Sequence, residues 1–238
     1  MTFKQMFTSS VGKKLIMGFT GIFLILFLIV HAGLNACIWA SYFIDETMPG
    51  ITFNKAAHFM GSNALPRILE IGLFVGIFLH ILQGYLLTLE NRSKRSVGYA
   101  VSYTKGSKWY SRSMAILGTL LLMFLIMHIY HFWTPSRLGG HFGIKGLESF
   151  EYNGTEYHNL YAAMQNIFTN IYVVILYVLA CGSLAYHLAH GFQSAFKTIG
   201  VHNKRYHALI SSIGYGFAII VPLIFALMPI SFYFNLIK

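Results

Sequence analysis

The chain alternates long apolar runs with shorter polar stretches, and five of the runs reach membrane-spanning length. A helix needs about 20 mostly apolar residues to cross a bilayer's hydrocarbon. Spans are predicted over about 15–42, 66–90, 113–133, 167–196 and 208–236. The second is bracketed by Arg67 and Glu90 and carries His80 near its middle. Gly72, Gly76, His80 and Gly84 recur every four residues there, so they share one helix face. A face with one nitrogen ligand and almost no side chain beside it admits a flat, bulky group. The same stripe also suits close packing of another helix. The stretches 1–14, 43–65, 91–112, 134–166 and 197–207 read as a polar lead and connecting loops. The expected fold class is therefore an all-α integral membrane protein, a bundle of five transmembrane helices forming a single transmembrane domain over 1–238.

Composition sharpens this reading. Only 10% of the residues are charged and 56% are hydrophobic, against about 25% charged in soluble domains. The first apolar run is too long for a cleavable signal and no small-residue cleavage site follows it, so it reads as a retained span. The net charge of +10 would suggest nucleic acid in a soluble protein; here loop charge that sets orientation is the simpler cause, and no nucleic-acid partner is expected. Cys37 and Cys181 both fall inside apolar runs and are too few for an iron–sulfur centre, which needs about four.

Five spans put the termini on opposite sides. The side holding 1–14, 91–112 and 197–207 carries twelve Lys and Arg; the other has five, namely Lys55, Arg67, Arg137, Lys145 and Lys238. Positive loops stay inside, which places the N-terminus in the cytoplasm. Pro222 is expected to kink the fifth span by removing a backbone hydrogen bond; that span carries no histidine within 208–236 and reads as packing. The Gly139–Gly143 run follows no strand and is not a phosphate loop.

Histidine inside a span is rare and is a functional hypothesis by default. Four spans carry one. His31 lies 17 residues after Lys14 and His128 lies 16 after Arg112. At about 1.5 Å per residue both sit roughly 25 Å from the cytoplasmic end. His80 lies 12 residues before Arg92 and His187 lies 10 before Lys197, which puts them at roughly 15–18 Å. The spans thus offer an outer pair, His31 with His128, and an inner pair, His80 with His187. Two imidazoles at one level are what a six-coordinate haem needs, and two such levels make an electron path across the membrane. Isolated hydrogen-bonding histidines would explain one such residue better than four in matched pairs. His131 and His190 each follow a paired histidine by three residues and are second choices, nearer the surfaces. His58, His141, His158, His202 and His207 fall in loops or at helix ends. Arg67, Arg137, Lys13, Lys14, Arg112 and Lys197 are cations available to haem propionates.

These residues also carry a family resemblance. Residues 54–90, NKAAHFMGSNALPRILEIGLFVGIFLHILQGYLLTLE, resemble the first loop and second helix of the succinate dehydrogenase/fumarate reductase cytochrome b subunit, in its five-helix, two-haem bacterial form. Ile29-Val-His31, Met127-His128-Ile-Tyr and Tyr186-His187-Leu-Ala-His-Gly191 fall where that family's other motifs belong. The resemblance implies two haem b, with His31 and His128 on the outer iron and His80 and His187 on the inner one. It also implies a flavoprotein subunit with FAD and an iron–sulfur subunit on the cytoplasmic face of a bacterial inner membrane. Electrons would exchange with membrane quinone, menaquinone ahead of ubiquinone. The chain would then be the membrane subunit of a respiratory-chain or tricarboxylic-acid-cycle enzyme, not the part that handles succinate. A homodimer of the heterotrimer stays open.

Two positions depart from the family pattern. Some members carry a glutamate two residues before the fourth ligand, tied to proton passage; Ala185 stands there. The family's outer-loop carboxylate after His-Phe-Met is Gly61 here. Glu70 and His58 are the nearby groups able to take a proton from a quinol. Two other readings share some of this logic. One is a haem b subunit of a hydrogenase or formate dehydrogenase. The other is a transporter using intramembrane histidines, which would expect intramembrane acids or broken helices.

Overall fold

A computed structural model of the chain describes residues 2–45, 47–93, 113–201 and 204–237, with Lys204 and Arg205 as backbone only. Of the expected basic loop at 91–112, residues 91–93 with Arg92 continue a helix, while 94–112 with Lys94, Arg95, Lys105, Lys108 and Arg112 lie outside the described residues, as do Glu46, His202 and Lys238. The helices are α1 (Phe3–Thr8), α2 (Ser10–Ala36), α3 (Ile51–Ser62), α4 (Ala64–Ser93), α5 (Met114–His128), α6 (Thr134–Leu138), α7 (Leu160–Ile167), α8 (Ile171–Thr198) and α9 (Lys204–Tyr233). A 3₁₀ segment, Cys37–Tyr42, continues α2, and a π-helical turn, Ile129–Trp133, joins α5 to α6. Among the described residues five helical stretches are long and apolar enough to cross a bilayer, so the chain is a multi-pass, largely helical membrane protein. Large apolar side chains such as Leu26, Ile71, Phe78, Met123 and Leu223 point outward and are more than half exposed. Water would not tolerate that much contiguous apolar surface; lipid does.

Several expected boundaries move. The third span runs beyond 133 to Leu138 because the π-turn carries the helix through Pro135. A proline at 135 removes an amide and crowds the carbonyl four residues back, and a widened turn relieves both. The loop at 43–65 contains α3, and the polar lead contains α1, capped by a Thr2–Gln5 capping box. The stretch 134–166 is not simply a loop. It holds α6, α7 and a hairpin of β1 (Ser149–Tyr152) and β2 (Thr155–His158), antiparallel with Tyr152 opposite Thr155. Asn153 (φ 50°) and Gly154 (φ 74°) make the turn in the left-handed conformation that an Asn-Gly pair adopts readily. The fifth span, α9, runs through Pro222 and Pro229 as one helix.

The residues fall into two compact units whose boundaries cut the long helices. The first comprises Met1–Leu28, Ile71–Thr119 and Ser183–Ile219. It buries Ile25, Leu188, Phe192 and Ala218 as a small core. Lys13, 8% exposed, pairs with Glu90, which also accepts from Ser10 Oγ. That ion pair ties α2 to α4 at their polar ends. The second unit comprises Ile29–Glu70, Leu120–Gly182 and Ile220–Lys238. Its core is larger and aromatic: Phe53, Tyr161, Phe168, Tyr177 and Phe232 around Ile38, Met164 and Met228. Asn54, fully buried, donates to Asn159 Oδ1 and accepts from Tyr161 N, both at 3.1 Å, and so pins α3 to the start of α7.

Candidate functional site

Each unit contains one histidine pair. In the first, His80 of α4 and His187 of α8 bring their rings to a centroid separation of 6.2 Å at 58°. In the second, His31 of α2 and His128 of α5 lie 5.8 Å apart at 88°. The structure therefore brings together the four residues that matched depth grouped, in the same pairs. Only helical geometry could do this from the sequence, because pair members are 97 or more residues apart in the chain.

Local sequence explains how each ring is held. Glycine lets a helix backbone approach an imidazole. A Cβ added at Gly21 would stand 3.8 Å from His80 Cε1, and one at Gly118 would stand 3.9 Å from His187 Cε1. Both are contact distances, so α2 and α5 lie against the two rings. The glycine stripe on α4 splits its use. A Cβ added at Gly76 would stand 3.1 Å from the Phe23 ring and one at Gly84 would stand 3.7 Å from Met17 Cε, while one at Gly72 would meet nothing within 4 Å. On α8, Ser183 donates to the Leu117 carbonyl at 3.2 Å one turn before His187. Around the other pair the packing is aromatic. Phe124 stacks near His128 at 5.5 Å and 27°, Phe132 lies 5.4 Å away, and Phe225 is 5.4 Å from His31.

The pairs fit a metal held between two imidazoles. An imidazole nitrogen ligates at about 2 Å, and the ring centre lies about 1 Å behind it, so two imidazoles on one metal have centres about 6 Å apart. The observed 6.2 and 5.8 Å match that span. Ring planes rotate freely about a shared axis, so 58° and 88° are both compatible. Two buried nitrogens, His128 Nδ1 and His187 Nδ1, have no hydrogen-bond partner, one in each pair. Such a nitrogen costs free energy when desolvated, and imidazole reaches a metal through either nitrogen. Each pair offers two imidazoles from the protein. A haem requires two from the protein and brings four of its own.

The second-choice histidines sit differently. His131, inside the π-turn, hydrogen-bonds Tyr177 OH through Nδ1 at 3.0 Å and stacks on that ring at 8°. His190 is partly buried on α8. His58 packs against Tyr157 of the hairpin at 4.9 Å. Glu70 is held by three donors: Arg67 Nη1 at 2.8 Å, Arg137 Nε at 3.2 Å and Trp133 Nε1 at 2.5 Å. Arg67, Arg137 and Lys13, considered for propionates, are thus in ion pairs with Glu70 or Glu90. Lys14 and Lys197 are exposed, and Arg112 lies outside the described residues. Sequence reasoning missed Trp133 and Tyr177, whose partners lie 63 and 46 residues away. Only the i, i+3 spacing of Arg67 and Glu70 was visible in advance.

The fold and site define a multi-pass membrane protein with two histidine pairs set into its spans. Comparison with protein-family models, with curated proteins and with solved structures finds no match.

Proposed function

We propose that the chain is the dihaem cytochrome b membrane anchor of a succinate:quinone oxidoreductase, passing electrons between an iron–sulfur subunit and membrane quinone. One observation carries the haem reading: two histidine pairs, each contributed by two different long helices, at separations of 6.2 and 5.8 Å. The succinate:quinone assignment is supported by the resemblance over residues 54–90 and around the four histidines.

Haem b, when bound, supplies reversible one-electron transfer at its iron. The chain's own residues do the rest. His80 and His187 would hold one haem iron, and His31 and His128 would hold the other. Phe124, Phe132, Tyr177 and Phe225 exclude water around the second pair, and low polarity is one lever on a haem's potential. The large lipid-facing surface anchors the complex. The twelve Lys and Arg of 1–14, 91–112 and 197–207 support a cytoplasmic N-terminus and a basic face for the flavoprotein and iron–sulfur subunits. The test is purification of the complex with identification of its soluble subunits and assay of succinate oxidation or fumarate reduction with a quinone. Copurification of a covalent-FAD subunit and an iron–sulfur subunit supports the assignment. Copurification of a hydrogenase or formate dehydrogenase subunit assigns the same cytochrome to that complex instead.

A further inference from the structure

Thr20 stands on α2 opposite His80 of α4, and its hydroxyl has a fixed direction. A threonine hydroxyl has one hydrogen to give and two lone pairs. Thr20 Oγ1 lies 2.7 Å from the Ile16 carbonyl and 3.3 Å from the Met17 carbonyl, and carbonyls only accept. The hydrogen therefore goes to its own helix, in the back-bonding usual for helical threonine. Toward His80 Nδ1, at 3.1 Å, Thr20 presents only lone pairs. That contact is a hydrogen bond only if His80 Nδ1 carries the proton. A neutral imidazole carries one proton, so Nε2 keeps its lone pair. Gly21 beside Thr20 admits the ring edge, with His80 Cε1 at contact distance from where a Cβ would be.

Nδ1 of the other three rings is placed differently. His128 Nδ1 and His187 Nδ1 have no partner. His31 Nδ1 lies 3.3 Å from Asn35 Nδ2, a donor that also bonds the His31 carbonyl at 2.8 Å.

We infer that Thr20 is a positioning residue that holds His80 in the Nδ1–H tautomer, leaves Nε2 as the metal-binding nitrogen, and makes that nitrogen more basic by accepting the Nδ1 proton. This rests on the dihaem reading above. An imidazole whose other N–H is hydrogen-bonded is a stronger donor to its metal. A stronger donor favours the oxidised iron, so Thr20 lowers the reduction potential of the haem on His80 and leaves the other unchanged.

The experiment is an optical redox titration of the purified complex, with low-temperature EPR of both low-spin haems. Thr20→Val keeps the shape and removes the lone pairs; the potential of one haem rises and its EPR signal shifts, while the second haem keeps both. Thr20→Ser returns the wild-type values. Thr20→Cys, a weaker acceptor, gives an intermediate shift and serves if the valine variant does not assemble. Two haems with unchanged potentials in both the valine and cysteine variants overturn the inference while leaving the dihaem reading intact. A wild-type complex without haem overturns both.

Discussion

His31 and His128 meet across α2 and α5 with ring centroids 5.8 Å apart and planes at 88°. Both partners are histidines, from two different long spans. If each pair holds one haem, removal of either partner abolishes that haem and spares the other. His31→Ala and His128→Ala should lose the same spectral component, and His80→Ala and His187→Ala the other. Each single variant should fall from two haems to one per chain, read by pyridine haemochrome. Loss of one component by His31→Ala and a different one by His128→Ala would break the pairing.

Glu70 carries a structural load that the sequence shows only in part. Glu70→Ala leaves Trp133 Nε1 and Arg137 Nε without their acceptor, and Arg67 without its ion pair. Losing a partly buried charge-assisted acceptor costs about 1–3 kcal/mol. At roughly 2–4 °C per kcal/mol for a chain of this size, the melting temperature in detergent should drop measurably. Glu70→Gln keeps an acceptor and should drop less. Equal stability of the alanine variant and wild type would remove Glu70 from this role.

Asn54 should behave as a buried pin. Asn54→Leu removes one donor from Asn159 Oδ1, which keeps the Ala162 amide, and removes the side-chain acceptor of the Tyr161 amide, at a cost of about 1–3 kcal/mol. Hydrogen exchange should speed up first across Leu160–Ile167, before the long helices change. Unchanged protection in α7 would contradict this.

The α4 glycines should part company. A side chain at Gly76 enters the Phe23 ring's space, whereas Gly72 faces open space. Gly76→Val should destabilise by about 1–3 kcal/mol through overpacking. Gly72→Ala should be neutral or gain up to about 1 kcal/mol through restricted backbone freedom. Paired thermal melts decide it; equal losses would show that the stripe packs as a whole.

The spans were legible because a bilayer demands long apolar runs, and His80 stood out because histidine is rare there. Pairing was legible in outline, since rise per residue turns sequence position into depth. What stayed hidden depended on short polar signals or on distant partners. The 149–158 hairpin was announced by Asn153-Gly154, whose left-handed turn is a local preference, inside a stretch read as a loop. The capping box Thr2–Gln5 was equally local and equally overlooked. The extension to Leu138 was masked by Pro135, which ordinarily marks a helix end; a π-turn absorbed it. Thr20 beside His80, Tyr177 beside His131 and Trp133 beside Glu70 join residues 46 to 63 positions apart, and no periodicity within one span reports such contacts.

The most direct measurement is a reduced-minus-oxidised visible spectrum of the purified complex, with haem quantified per chain. Two b-type haems per chain are predicted, falling to one in His80→Ala or His187→Ala. Well-folded protein with no haem would contradict the account, and metal or proton transport by the same histidines would become the reading to test.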